Sequence, residues 1–174
     1  MTKQIFLLGY MGVGKSTAGK ALASANDIAF YDLDAVIEKG EGASVRAIFK
    51  EYGELYFRKK EYDYLQKLIQ IPEQKVVALG GGTPCYFNTM NELNDNKLIK
   101  TVYLKASVAF LTQRLWPERY QRPMISHLET ESLLTEFIGK HIFDRNPFYL
   151  KAEHQLQVEG KSIRQIVTEI QNLT

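Results

Sequence analysis

Apolar positions along this 174-residue chain follow two periods, and the two alternate. Short runs at 4–8, 28–30, 75–79, 100–104 and 154–158 read as strands. The runs at 75–79 and 100–104 are mostly apolar, which suits strands of a parallel sheet covered on both faces. Between the runs the period lengthens to that of a helix. One helix is expected over 17–25. A longer amphipathic stretch covers 44–70, with Val45, Ile48, Phe49, Tyr52, Leu55, Tyr56, Tyr62, Leu65, Leu68 and Ile69 at three- and four-residue spacing. Gly53 should divide it into two helices. Residues 116–128 lack helical periodicity and contain Pro117 and Pro123, which predicts a mobile loop long enough to suggest a function. The alternation predicts a three-layer α/β fold. In such folds ligands bind beyond the carboxyl ends of the strands, so polar or glycine-rich clusters just after a strand become site candidates.

The first such cluster is Gly9-Tyr10-Met11-Gly12-Val13-Gly14-Lys15-Ser16, a complete G-x-x-x-x-G-K-[ST] phosphate-binding loop between a strand and a helix. Backbone N–H groups of such a loop form an anion nest, and the following helix adds its positive end. Lys15 would reach the β- and γ-phosphates, and the Ser16 hydroxyl would ligate Mg²⁺. The second cluster is Asp32-Leu33-Asp34. Two carboxylates at i and i+2 on an extended chain face the same side. One could hold a hydrated Mg²⁺, and the other could orient an acceptor hydroxyl. The alternative is that Asp34 merely caps the helix that follows. The third cluster, Gly80-Gly81-Gly82, lets a ligand approach the backbone closely. The plainer reading is a tight turn needing positive φ.

Arg58 and Glu61 sit at i, i+3 on a predicted helix. They form either a surface ion pair or an arginine aimed at a substrate carboxylate with its fork set by Glu61. Arg114, Arg119 and Arg122 crowd onto or beside the proline-bearing loop. A lid carrying arginine over ATP would neutralise charge on the transferring group and exclude water. Arg145 has no role by local pattern beyond a helix face. His127, His141 and His154 lack metal-ligand spacing. Cys85 has no nearby cationic residue to activate it and is read as inert.

Composition narrows the class. The length suits one domain, and a net charge of +2 argues against general attraction to nucleic acid or membranes. A single cysteine excludes an internal disulfide, and no apolar run approaches a membrane span. The opening Met1-Thr2-Lys3-Gln4 leaves no room for a signal peptide, so a reduced cytoplasmic setting is expected.

The ordered set Asp32-Leu33-Asp34, Phe57-Arg58-Lys59-Lys60-Glu61, Gly80-Gly81-Gly82, Arg122-Pro123 and Arg145-Asn146-Pro147-Phe148-Tyr149, behind a phosphate loop, resembles the shikimate kinase family over nearly the whole chain. The resemblance implies a P-loop fold with a five-stranded parallel sheet in the order 2-3-1-4-5. It implies one kinase domain over 1–174, with a substrate-binding segment at about 33–62 and a lid at about 112–128. The implied reaction is Mg²⁺-dependent transfer of the ATP γ-phosphoryl group to the 3-hydroxyl of shikimate, in aromatic amino-acid biosynthesis. By the same resemblance, Gly12, Val13, Gly14, Lys15, Ser16 and Thr17 bind the phosphates, and Ser16 and Asp32 the Mg²⁺. Asp34, Arg58, Gly80 and Arg145 bind shikimate, with Arg58 and Arg145 on its carboxylate. Gly81, Gly82, Phe49, Phe57 and Glu61 complete that pocket. Arg122 meets ATP from the lid, Arg114 stacks near the adenine, and Lys161 is the basic residue available after the last strand. Lys15, Asp34 and Arg122 carry the catalysis. Tyr10-Met11 should alter packing around the loop and not its chemistry. A monomer is the simplest assembly.

Two other readings remain open on the residues alone. One is a kinase for another hydroxylated acid such as gluconate, or for a nucleotide. The other is a nucleotide-dependent switch, against which Arg58, Glu61 and Arg145 together argue.

Overall fold

Strand β1 (Gln4–Leu8) is buried at every position, and its side chains divide between two cores. Ile5 and Leu7 enter one cluster, Phe6 and Leu8 the other. Alternation across the pleat explains this, because successive residues of a strand face opposite sides. The sheet is therefore covered on both faces, as its continuous apolar runs require. The structure is a computed structural model that describes residues 4–173. Residues 1–3, on which the expectation about the N-terminus rests, lie outside the described residues.

Five parallel strands form the sheet. They are β1, β2 (Ala29–Asp32), β3 (Lys75–Ala78), β4 (Ile99–Lys105) and β5 (His154–Gln157), in the order β2-β3-β1-β4-β5. The order and the five runs match the sequence reading. Only the second strand shifts materially. It runs on to Asp32, which pairs in register with Ala78.

Helices α1 (Lys15–Ala25), α5 (Val108–Leu115) and α7 (Ile163–Leu173) cover one face, where Leu22, Leu111 and Ile170 are buried. Helices α2 (Leu33–Glu41), α3 (Val45–Gln70) and α4 (Thr89–Asp95) cover the other through Ile37, Leu65 and Leu93. Each such leucine or isoleucine contributes roughly 1.5–3 kcal/mol. Helix α6 (Glu131–Tyr149) serves both layers: Leu134 and Ile138 join the first core, and Tyr149 the second.

Two elements differ from simple expectation. Helix α3 is one run interrupted at Gly53, whose φ of 81° and ψ of 173° break the helix as anticipated. The break also rotates the apolar stripe, so Tyr52 and Leu55 are 54% and 85% exposed instead of continuing it. The proline-bearing segment is not structureless either. Helix α5 continues through Leu115, a 3₁₀ turn forms at Arg119–Gln121, and Ile125 is fully buried in the first core. One isolated apolar anchor leaves no periodicity to detect.

Every strand's carboxyl end lies on the same edge, and β1 leads straight into the phosphate loop there. Gly9 has φ of +141°, and a Cβ on it would stand 2.5 Å from the Leu104 carbonyl oxygen. Backbone cannot yield as a side-chain tip can. Gly9→Ala should therefore cost about 2 kcal/mol or more, lowering Tm by roughly 4–8 °C in a chain of this size. Thermal unfolding followed by circular dichroism checks this.

Candidate active site

The ends of β1, β2 and β3 open into a cleft of about 370 Å³. Gly12, Gly14, Lys15, Ser16 and Thr17 line it from the phosphate loop and the first turn of α1. Asp32, Asp34, Gly80, Gly81, Arg114, Glu118 and Arg122 line the remainder. Val13 is buried behind the loop and holds it to the core.

Lys15 folds back over its own loop. Its Nζ donates to the carbonyl oxygens of Gly9 at 2.8 Å and Tyr10 at 3.1 Å. Burial of the ammonium pushes its pKa down to about 8, against the pull of Asp34 and Asp32. An anionic ligand in the nest would restore full charge. The Ser16 hydroxyl donates to Asp32 Oδ2 at 2.5 Å, so the two oxygens expected to share a cation already meet.

Asp32 and Asp34 do not sit together on an extended chain, as the spacing suggested. Asp32 ends β2 and caps α2, accepting weakly from the Ala35 amide at 3.4 Å, while Asp34 lies in the first helical turn. The cap is thus Asp32 and not Asp34. Both carboxylates still reach the cleft, because the strand end and the helix start share its wall. Burial pushes the Asp34 carboxyl up to about 6. Glu61 and Asp32 add to the rise, and Lys15 opposes it.

Gly80 explains that crowding. A Cβ there would stand 2.8 Å from Glu61 Oε1, 2.9 Å from Thr83 Oγ1 and 3.1 Å from Asp34 Oδ1. A Cβ on Gly82 would meet Arg58 Nη2 at 2.6 Å, and one on Gly81 would meet Arg145 Nη1 at 3.3 Å. None of the three has the positive φ that the plainer turn reading required. The run is glycine because its neighbours fill the space.

Arg58 and Glu61 are 9% and 2% exposed, so theirs is a buried pair and not a surface one. Arg58 Nη1 donates to Glu61 Oε2 at 2.8 Å, and Thr83 Oγ1 donates to Glu61 Oε1 at 2.7 Å. Burial works against the Arg58 charge, but Glu61 more than offsets it, and the pKa is raised. The guanidinium also lies 4.4 Å from the Tyr86 ring, 5.2 Å from Phe57 and 5.8 Å from Phe49. Phe49 and Phe57 pack together with ring centroids 4.5 Å apart. Arg145 comes from the last turns of α6, against Gly81 and 5.6 Å from the Tyr10 ring centroid.

On the opposite side, Arg122 Nη2 donates to Glu118 Oε2 at 2.9 Å. Its Nε is shielded from solvent and has no acceptor among the described residues. Arg114 lies beside Gly14. Arg119 turns away, stacked 3.6 Å over Trp116 and 4.0 Å from Tyr120. Lys161 is engaged by Glu169 at 2.6 Å. Among the described residues no group of three or more His, Cys, Asp or Glu could hold a metal alone.

Sequence reasoning gave no site role to Thr83 or Glu118 and read Tyr10 as packing alone. Thr83 follows the glycine run directly, and Glu118 stands four residues before Arg122, a helical spacing that signals a pair. Cys85 needs a correction. Folding brings Arg58 and Arg145 close enough to lower its pKa, although neither is near it in sequence. Burial outweighs them, and the thiol is pushed up, so it stays inert as expected.

Asp34 has a stability consequence. Its folded pKa of about 6 exceeds the unfolded value of about 3.9. The folded state therefore prefers the protonated acid, and stability falls as pH rises between about 4 and 6. Asp34→Asn should be near neutral at pH 4 and stabilising at pH 8, by roughly 3 kcal/mol. Denaturant melts at the two pH values check the sign.

A family model described as shikimate kinase matches residues 11–174. The shikimate kinase of Flavobacterium johnsoniae is 42% identical over 168 residues, covering 97% of this chain and 96% of that protein. The crystal structure of shikimate kinase from Bacteroides thetaiotaomicron superposes with a TM-score of 0.90 at 35% identity, covering 98% of this chain and 97% of that one. The Acinetobacter baumannii shikimate kinase, solved in complex with shikimate, gives 0.86 at 29% identity, with coverage of 99% and 93%. Identity of about 40% over nearly the full length and a matching family model meet on one chain whose phosphate loop, Asp32, Asp34, Gly80, Gly81, Arg114 and Arg122 line one cleft, with Arg58, Glu61 and Arg145 packed around the same glycine turn: this chain belongs to the shikimate kinase family.

Proposed function

We propose that this chain transfers the γ-phosphoryl group of ATP to the 3-hydroxyl of shikimate, giving shikimate 3-phosphate and ADP. One observation carries the assignment of the acceptor end. Two guanidinium groups, from α3 and α6, lie against adjacent glycines of the β3 turn, with the Asp34 carboxylate one glycine away. A small hydroxy acid needs this arrangement: a fork for its carboxylate and an acceptor for its hydroxyl. A nucleotide acceptor would need cations arranged for phosphate.

Gly12 to Thr17 cradle the phosphates, with Lys15 on the β- and γ-oxygens. Arg114 borders the nucleoside end, and Arg122, which lines the cleft with its Nε unpartnered, would meet the phosphates. The Ser16 hydroxyl and Asp32 carboxylate suit Mg²⁺, a hard ion that takes one or two protein oxygens and completes its shell with water and phosphate. When bound, Mg²⁺ supplies neutralisation of phosphate charge. Arg58 and Arg145 grip the acceptor carboxylate, with Glu61 fixing Arg58. Gly80, Gly81 and Gly82 form the pocket floor, and Phe49 and Phe57 its apolar wall. Asp34 is ionised at neutral pH and accepts from the 3-hydroxyl, aiming it at phosphorus. Phosphoryl transfer passes through a loose transition state, so positioning and charge stabilisation by Lys15 and Arg122 supply most of the rate. The whole chain works as one kinase domain, with about 112–128 as its lid. No helix among the described residues is long and apolar enough to cross a membrane. A cytoplasmic monomer is the setting we infer.

ADP release should depend on shikimate and should not be restored by gluconate or a nucleoside monophosphate. Such restoration would overturn the acceptor. Arg58→Ala and Arg145→Ala should each raise the shikimate KM on the order of 10²-fold, a loss of roughly 3 kcal/mol, with the ATP KM nearly unchanged.

Gly82→Ala tests the floor. The new methyl would displace the Arg58 guanidinium, so the shikimate KM should rise roughly tenfold or more while ATP binding holds. Steady-state kinetics with each substrate varied in turn gives both values.

A further inference from the structure

Arg58 and Arg145 are held in opposite ways. Arg58 is gripped by carboxylates, Glu61 at 2.8 Å and Glu54 at 3.4 Å. Arg145 pairs with no carboxylate among the described residues. What it has is the Tyr10 ring, 5.6 Å from its guanidinium carbon, and a side-chain hydrogen bond with the Tyr149 hydroxyl, which itself donates to the Gly81 carbonyl oxygen at 2.6 Å. An aromatic face attracts a cation through its quadrupole and consumes none of its N–H donors. The donors that Tyr149 does not engage stay available for an incoming anion.

Tyr10 is itself fixed. It is 2% exposed, and its hydroxyl hydrogen-bonds His141 Nδ1 at 3.1 Å, one helical turn before Arg145 on α6. His141 is stacked in turn on Phe137, with centroids 4.2 Å apart. The backbone carbonyl of Tyr10 also accepts from Lys15 Nζ. One residue thus joins the phosphate loop to the helix that delivers Arg145.

We propose that Tyr10 is a positioning residue for the acceptor site, its ring setting the Arg145 guanidinium and its hydroxyl locking that ring to α6 through His141. The proposal rests on reading Arg145 as a carboxylate ligand. It makes the second residue of the phosphate loop a determinant of acceptor affinity, in a motif whose other members serve the nucleotide.

Steady-state kinetics of the full chain, with shikimate and ATP varied separately, tests this. Tyr10→Met keeps bulk and removes the π face. It should raise the shikimate KM roughly tenfold and leave the ATP KM within about twofold. Tyr10→Phe keeps the face and should stay within about threefold of the parent for shikimate. Tyr10→pentafluorophenylalanine keeps the shape of Phe and reverses the ring's electrostatics, so it should behave like Tyr10→Met even if the latter fails to fold. On an Arg145→Ala background, none of these changes should raise the shikimate KM further. Equal effects on both substrates would overturn the proposal, as would fluorination without effect relative to Phe. If Arg145→Ala alone leaves the shikimate KM unchanged, the carboxylate reading fails. If that variant loses affinity while the Tyr10 series does not, only the positioning role fails.

Discussion

The site depends on an absence of side chains. Gly80, Gly81 and Gly82 end the third strand, and the volume their side chains would fill is occupied by Glu61 and Thr83, by the Arg145 guanidinium and by the Arg58 guanidinium respectively. Three other elements can therefore close on this turn: α2 with Asp34, α3 with Arg58 and Glu61, and the end of α6 with Arg145. Any larger residue would push a charged group away from the point where the others converge. Excluded volume thus sets geometry here before electrostatics acts. Because the neighbours are charged and largely buried, a shift of a few tenths of an ångström is not absorbed as it would be in an apolar core.

Charge then differentiates groups that the backbone has brought together. Asp32 and Asp34 are two residues apart and line one cleft. Asp32 is committed to the Ser16 hydroxyl and to the helix cap. Asp34 is buried near Glu61, and its carboxyl is pushed up to about 6. Two residues of one type are therefore placed in different surroundings, which suits the separate roles proposed for them. Lys15 shows the converse. It is a cation held by carbonyl oxygens, with its pKa pushed down to about 8, in a nest that an anion would complete.

Much of this was legible in the amino-acid order because local rules dominate it. Parallel strands buried on both faces leave apolar runs, and the phosphate loop is contiguous. Gly53 broke α3 where a helix-interior glycine was expected to. The parts that could not be read are those set by tertiary packing. Ile125 anchors the lid from within an aperiodic segment, and Cys85 acquires two arginine neighbours distant in sequence. The Asp-x-Asp spacing predicted the right convergence through the wrong geometry, since strand end and helix start share one wall of the cleft. Tyr10 was read as packing alone, and its hydroxyl partner lies 131 residues away.

Arg58 and Arg122 differ in how firmly they are held, and the difference has a mechanistic direction. Breaking a buried ion pair costs about 3–5 kcal/mol in general, so Arg58 stays on Glu61 whether or not an acceptor is bound. Its Nη2 lies against Gly82 of the glycine turn. Arg122 pairs with Glu118 across a solvent-exposed contact, a kind that contributes little and is screened by salt. A phosphate carries more charge than one carboxylate and can draw Arg122 off Glu118. With Ile125 pinned, the segment has a fixed base about which that exchange can occur. On the proposed reading, Arg58 at the acceptor end is thus held in advance and Arg122 at the nucleotide end is adjustable. The reaction proposed above would gain from this contrast, because a rigidly held Arg122 would hinder ATP entry and a loosely held Arg58 would misalign the acceptor hydroxyl.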